Sequence, residues 1–185
     1  MRTSLVAPIA VACICAAHLS AAQDKGKTAA AELTSESKAS LQQLYASVPL
    51  AKAAGPKAAA ILVFPEVKKA GLGIGGQYGE GALLKKGAAV AYYKTTGASF
   101  GLQAGGQKYG YALFFMNAKA LNEFQTASGF EVGVGPSVVL VDEGMAKSTT
   151  TTTLKEDVYA FIFSQKGVMA GLGIQGNKIT KITPK

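Results

Sequence analysis

The sequence predicts an α+β fold: a single curled, antiparallel β-rich domain behind an N-terminal helical segment, with one short internal helix. Three observations carry this. Apolar residues recur at helical spacing between Leu33 and Val48. From Ala59 onward, β-branched, aromatic and glycine residues alternate in short runs punctuated by turn signals. Glycine recurs on one face of several of these runs, where it admits a close neighbour or a sharp bend.

The first 22 residues, MRTSLVAPIAVACICAAHLSAA, join Arg2 to an apolar run from Leu5 to Ala17 and to small residues at Ser20 and Ala22. That is the pattern of a secretory signal peptide cut after Ala22, and the run is too short to span a membrane. It predicts an exported protein of the periplasm or envelope. Cys13, behind Ala10-Val11-Ala12, is a weak match to a lipidated cysteine; the other reading makes Cys13 and Cys15 ordinary residues of the apolar run. Residues 23–34 are polar and alanine-rich and read as a flexible N-terminus; the domain proper is read as 35–185.

Within it, Leu33, Leu41, Leu44, Tyr45 and Val48 share one helix face, and Pro49 ends that helix or begins another turn. AAILVF, 59–64, reads as a buried strand closed by Pro65. AGLGIGGQYGEG, 70–81, holds a GxGxxG pattern at Gly71, Gly73 and Gly76. A dinucleotide loop needs a helix directly after such a pattern, and the glycine-rich QYGEG opposes one, so a strand is expected. A turn at Lys85-Lys86-Gly87 leads to a strand through Tyr93; strands 99–107 and 111–116 are joined by KYG. Asn117 is placed to cap a short helix carrying Leu121 and Phe124. Gly135-Pro136 is a break, and KSTTTTT, 147–153, is an edge strand or an extended loop. VYAFIFS, VMAGLGIQ (with Gly171, Gly173 and Gly176) and KITKI read as a three-strand meander with turns at QKG and GN.

Removal of residues 1–22 takes both cysteines, the one histidine and the one arginine. What remains has 18 lysines against 11 acids, a net charge of +7. Triads built on histidine, cysteine–histidine pairs and histidine-ligated zinc are then excluded. Ser35-Glu36-Ser37-Lys38 is an SxxK without its partner motifs, and the carboxylate pairs Asp142-Glu143 and Glu156-Asp157 flank turns. A binding protein without catalysis, cofactor or metal is expected. Lysine without arginine suits anionic membrane surfaces better than base reading in nucleic acid. Lys68-Lys69 and Lys85-Lys86 bracket the glycine strand and are the candidate lipid-binding residues. The alternative is that the lysines only keep an apolar protein soluble.

Four ordered blocks resemble the SYLF lipid-binding domain family, from about residue 35 to the end: AAAILVFPEVKKAGLGIGGQYGEGALL, GLQAGGQKYGYALFFM, GFEVGVGPSVVLV and VYAFIFSQKGVMAGLGIQGNKI. The most specific parts are Phe64-Pro65 followed by Lys69-Ala70-Gly71, the pair Gly135-Pro136, and the segment Ser164 to Gly176. The resemblance implies phospholipid binding, with bacterial members as exported or lipid-anchored envelope proteins. Eukaryotic members usually carry Trp-Ser-x-Pro where this chain has AYYKTTGAS, and the 185 residues read here hold no SH3 or FYVE pattern, so the resemblance carries general affinity for anionic lipid better than phosphoinositide selectivity or actin binding. The expected function is therefore binding of anionic phospholipid at the bacterial envelope through lysines; the alternative is a periplasmic structural or protein-interaction domain with an unidentified protein partner.

Overall fold

Residues 29–47 are rich in alanine, leucine, glutamate and glutamine and hold no glycine or proline, so a helix propagates through them. In the computed structural model, which describes residues 13–127, 129–131, 138–142, 155–167 and 177–185, this is part of α1 (Cys13–Ser47). Pro49 lacks the N–H that a helix interior needs and opens the next helix, α2 (Pro49–Ala54), followed by a 3-10 turn at Gly55–Lys57. Leu33, Leu41, Leu44 and Val48 are buried, as their spacing predicts. α1 runs through the stretch 23–34, and at its end Leu33 is buried and the Thr34 hydroxyl sits 2.9 Å from the Tyr92 hydroxyl across the domain.

The short strands expected after residue 59 merge into two long ones, β1 (Ala60–Lys85) and β2 (Ala88–Phe115), paired antiparallel along their length. Pro65 does not close a strand. It lies where the register shifts between Phe64 and Val67, an irregularity that tolerates the missing ladder donor. KYG likewise is not a turn; β2 runs through it, and the pairing with the neighbouring strand shifts between Lys108 and Gly110. The 70–81 segment is strand throughout and no helix follows it, as its composition predicts.

After β2 come α3 (Ala118–Thr126), capped by Asn117 Oδ1, which accepts from Ala120 N at 2.9 Å, and β3 (Phe130–Glu131), β4 (Val138–Asp142), β5 (Val158–Gly167) and β6 (Lys178–Ile182). Among the described residues these form one six-stranded sheet of order β3-β6-β2-β5-β4, with β1 on the other edge of β2. All pairs are antiparallel except β4–β5, which is parallel and makes the sheet mixed. One local expectation changes. QKG belongs to β5, where Lys166 and Gly167 still pair with Lys108 and Gln107. β5 and β6 both pair with β2, at 107–115 and 92–96, end to end along one edge; the middle strand of the expected meander, VMAGLGIQ, lies outside the described residues. The stretch 147–153, Gly135-Pro136 and the second glycine pattern at 171–176 lie outside the described residues.

The hairpin curls hard. At the corner, Leu72 pairs with Ala104 but Ile74 with Phe100, so β2 carries two additional residues there and bends. Beyond the corner, β1 returns onto its own first half. A Cβ on Gly81 would lie 2.2 Å from the Val63 carbonyl oxygen and 2.7 Å from the Phe64 ring. Only glycine allows that approach. The curl gives the sheet two buried faces. Leu62, Phe64, Leu83, Tyr111, Leu113, Phe115 and Ile162 point inward and meet Phe124 of α3. Ile61, Val63, Leu84, Phe114, Phe161 and Phe163 point the other way, against Leu41, Leu44, Val48 and Leu50 of the helices.

Candidate functional site

The end of the hairpin meets the junction of the first two helices. Lys86 and Gly87 form the β1–β2 turn with φ of 50° and 79°, the doubly left-handed geometry of a two-residue hairpin loop. Next to it a cleft of about 520 Å³ opens between the C-terminal part of α1, the 3-10 turn and the start and end of β1. Its floor is apolar: Leu41, Ile61 and Leu84 belong to the core that joins sheet to helices. Tyr45 forms one wall, its ring set edge-on to Phe114 at 6.4 Å, and burial pushes its hydroxyl pKa upward. Lys52 and Lys86 stand on the rim, and no carboxylate lines the cleft.

More of the same character surrounds it. Lys85 precedes the turn and is exposed, and Lys57 is exposed at the end of the 3-10 turn. Val90 lies at a register irregularity opposite Leu83 and Leu84 and is 53% exposed. Such an irregularity turns a side chain away from the face its neighbours share. Lysines, an outward valine and an apolar cleft thus gather at one end of the molecule.

The four lysines singled out in the sequence divide between different places. Lys86 lines this cleft and Lys85 adjoins it. Lys68 is far along β1 from the turn and pairs with Glu66 at 3.3 Å; Lys108 reaches the same carboxylate at 3.2 Å. The hydrogen bond from Lys108, with that from Lys68, holds the exposed Glu66 carboxyl below the usual range. A second, shallower cleft there is lined by Glu36, Glu66 and Lys68, so acids outnumber bases in it. Lys69 is only 3% exposed and faces the interior of the curl. The structure therefore does not bring the four into one surface. Lys52 escaped the sequence reading because it is an isolated lysine in a six-residue helix; only the packing of α2 beside the hairpin turn brings it near Lys86.

Of the other candidate groups, Glu143 lies outside the described residues. Ser35 and Lys38 are exposed on α1. Asp157 accepts a hydrogen bond from Asn117 Nδ2 at 2.6 Å and so steadies the cap of α3. Among the described residues, no group of three or more potential metal ligands assembles, and no helix is long and apolar enough to cross a membrane.

Comparison with known proteins gives one family. Residues 96–183, from within β2 to the end of the sheet, match a family model described as Ysc84: Las17-binding protein actin regulator. The cleft residues, 41–87, lie ahead of that match. No curated protein matches the chain.

Proposed function

Because residues 96–183 belong to the Ysc84 (SYLF) family, we propose that this chain is a non-enzymatic binding protein of anionic phospholipid, exported to the bacterial envelope, which meets the membrane with its hairpin end. The observation that carries the reading is the cleft: an apolar floor, Lys52 and Lys86 on its rim, and no acid among its lining residues. Apolar area with flanking ammonium groups suits a lipid whose headgroup is negative and whose glycerol and first methylenes are not. Val90 and Lys85 beside the turn extend the same contact. Binding rather than catalysis is favoured because the lining offers lysine amines and one tyrosine hydroxyl but no carboxylate or imidazole to serve as a base. The family description names a protein ligand and actin regulation for its members. For this chain a protein partner is the rival reading.

Vesicle co-sedimentation tests the proposal. Each lysine held at an anionic surface contributes about 1 kcal/mol. The triple variant Lys52→Gln, Lys85→Gln, Lys86→Gln is thus expected to lose up to about 3 kcal/mol, about a hundredfold in affinity. The loss shrinks as added salt shortens the screening length to about 8 Å. Lys68→Gln, whose partner is Glu66, is expected to change little. Equal binding of parent and triple variant at low and physiological salt would favour the protein-interaction reading.

A further inference from the structure

The interior of the curl is not apolar throughout. Along the inward face of β2, Phe115, Leu113 and Tyr111 give way to Tyr109 and Gln107, and then to exposed Gly105. On β1 the inward series passes from Phe64 and Val67 to Lys69, and from Leu83 back to Gln77. Of seven buried polar or charged residues among those described, five are strand or strand-flanking residues at this end: Lys69, Gln77, Thr95, Gln107 and Asn177. They are close to one another. Tyr109 donates to Gln77 Oε1 at 3.1 Å across the curl, although their ladder partners are Val67 and Gly97. Asn177 Oδ1 lies over Gly97, beside the Gln77 side chain. Thr95 is the next inward position on β2, and Lys69 is the ladder partner of Gln107.

Among the described residues five side-chain atoms are buried without a protein partner, and four of them lie along this inward face: Gln77 Nε2, Thr95 Oγ1, Gln107 Oε1 and, at its apolar border, Tyr111 Oη; the fifth is Thr180 Oγ1 on β6. Each such atom costs about 1–3 kcal/mol in a folded protein. In a folded protein such atoms are met by ordered water or by the polar groups of a ligand. Three of the four can donate and one only accepts, and the Lys69 ammonium shares their face. We propose that this layer binds a small phosphate ester. Its oxygens would accept from Gln77 Nε2, Thr95, Tyr111 and Lys69, and a hydroxyl of the ester would donate to Gln107 Oε1. The site is distinct from the cleft at the hairpin end, and the phosphate could belong to a free metabolite or to a lipid headgroup.

Calorimetric titration of the full chain with glycerol 3-phosphate and with inorganic phosphate tests this. Saturable binding of glycerol 3-phosphate is expected, with a matching rise in Tm and weaker binding of inorganic phosphate. Thr95→Val and Gln77→Leu each remove a buried partnerless polar atom. They are expected to leave the unliganded protein as stable as the parent or more so, yet to weaken binding at least tenfold. A purely structural role would move stability in the opposite direction. Lys69→Met is expected to abolish binding, and the Lys52→Gln, Lys85→Gln, Lys86→Gln variant to keep it. Competition by phosphatidic acid vesicles would assign the phosphate to a lipid headgroup, and its absence to a soluble ester. No saturable binding of either probe into the millimolar range, or parent-like binding by both Thr95→Val and Gln77→Leu, would overturn the proposal.

Discussion

Gly81 shows how much of the fold rests on single atoms. Its missing side chain leaves room for the Val63 carbonyl, 2.2 Å from where a Cβ would stand. Gly81→Ala is expected to cost about 1–3 kcal/mol by overpacking, read as a lower urea midpoint. A tyrosine makes the second point at this scale. Burial pushes the Tyr109 pKa up to about 12, against about 10 in an unfolded chain. The folded state therefore keeps this proton longer than the unfolded state. Its contribution is complete below pH about 10 and is lost as pH rises toward 12. Burial, with Tyr109 adding to it, moves Tyr111 in the same direction. Alkaline titration followed by tyrosinate absorbance is expected to show delayed ionisation that coincides with unfolding; early ionisation of all seven tyrosines would contradict it. Individual residues were legible in the sequence where chemistry and pattern agree, as with Asn117 as a helix cap. Lys69 was not, because they disagree: the alternation that carries Val67 inward carries Lys69 with it, while its charge argued for solvent.

At the level of elements, helix faces and the hairpin turn were readable, and strand ends were not. Pro65, Gly110 and Gln165-Lys166-Gly167 all look like breaks in a one-dimensional reading. In the sheet they fall at register shifts or strand ends, where a neighbouring strand supplies the hydrogen bonds that keep the chain extended. Pairing over such distance has no local signature. The Lys86-Gly87 turn does, and it carries an oddity. Its first position has φ of 50°, a conformation in which asparagine is at ease and lysine is strained. A hairpin selected for stability alone would read Asn-Gly. Lys86→Asn is therefore expected to raise stability by about 0.5–1 kcal/mol, while weakening binding to anionic vesicles. Thermal unfolding and co-sedimentation of the same preparation separate the two effects. A variant that is less stable, or equally well bound, would remove the argument that Lys86 is kept for its charge.

The whole molecule joins a cationic hairpin end to a long N-terminal helix, and the proposal of export turns on where that helix begins in the working protein. α1 (Cys13–Ser47) crosses the expected cleavage after Ala22. Its described anchoring contacts come later: Leu33 is buried, Thr34 meets Tyr92, and the Ser37 hydroxyl donates to the Val63 carbonyl at 3.3 Å. A chain beginning at Gln23 keeps every one of these contacts and loses one positive charge, from +8 to +7. Residues 23–185 produced alone are thus expected to unfold within about 0.5 kcal/mol of the full chain, since changes away from packed contacts stay in that range. Intact mass of protein recovered from the exported fraction is expected to start at Gln23. A mass carrying a diacylglyceryl group on Cys13 would instead tether the helix to the bilayer, and the lysines would then act at high local concentration beside lipid rather than recruit the protein from solution. Retention of residues 1–22 in all of the protein, with none exported, would remove the envelope from the proposed function and leave the cleft's affinity for anionic lipid to be judged against a cytoplasmic membrane surface.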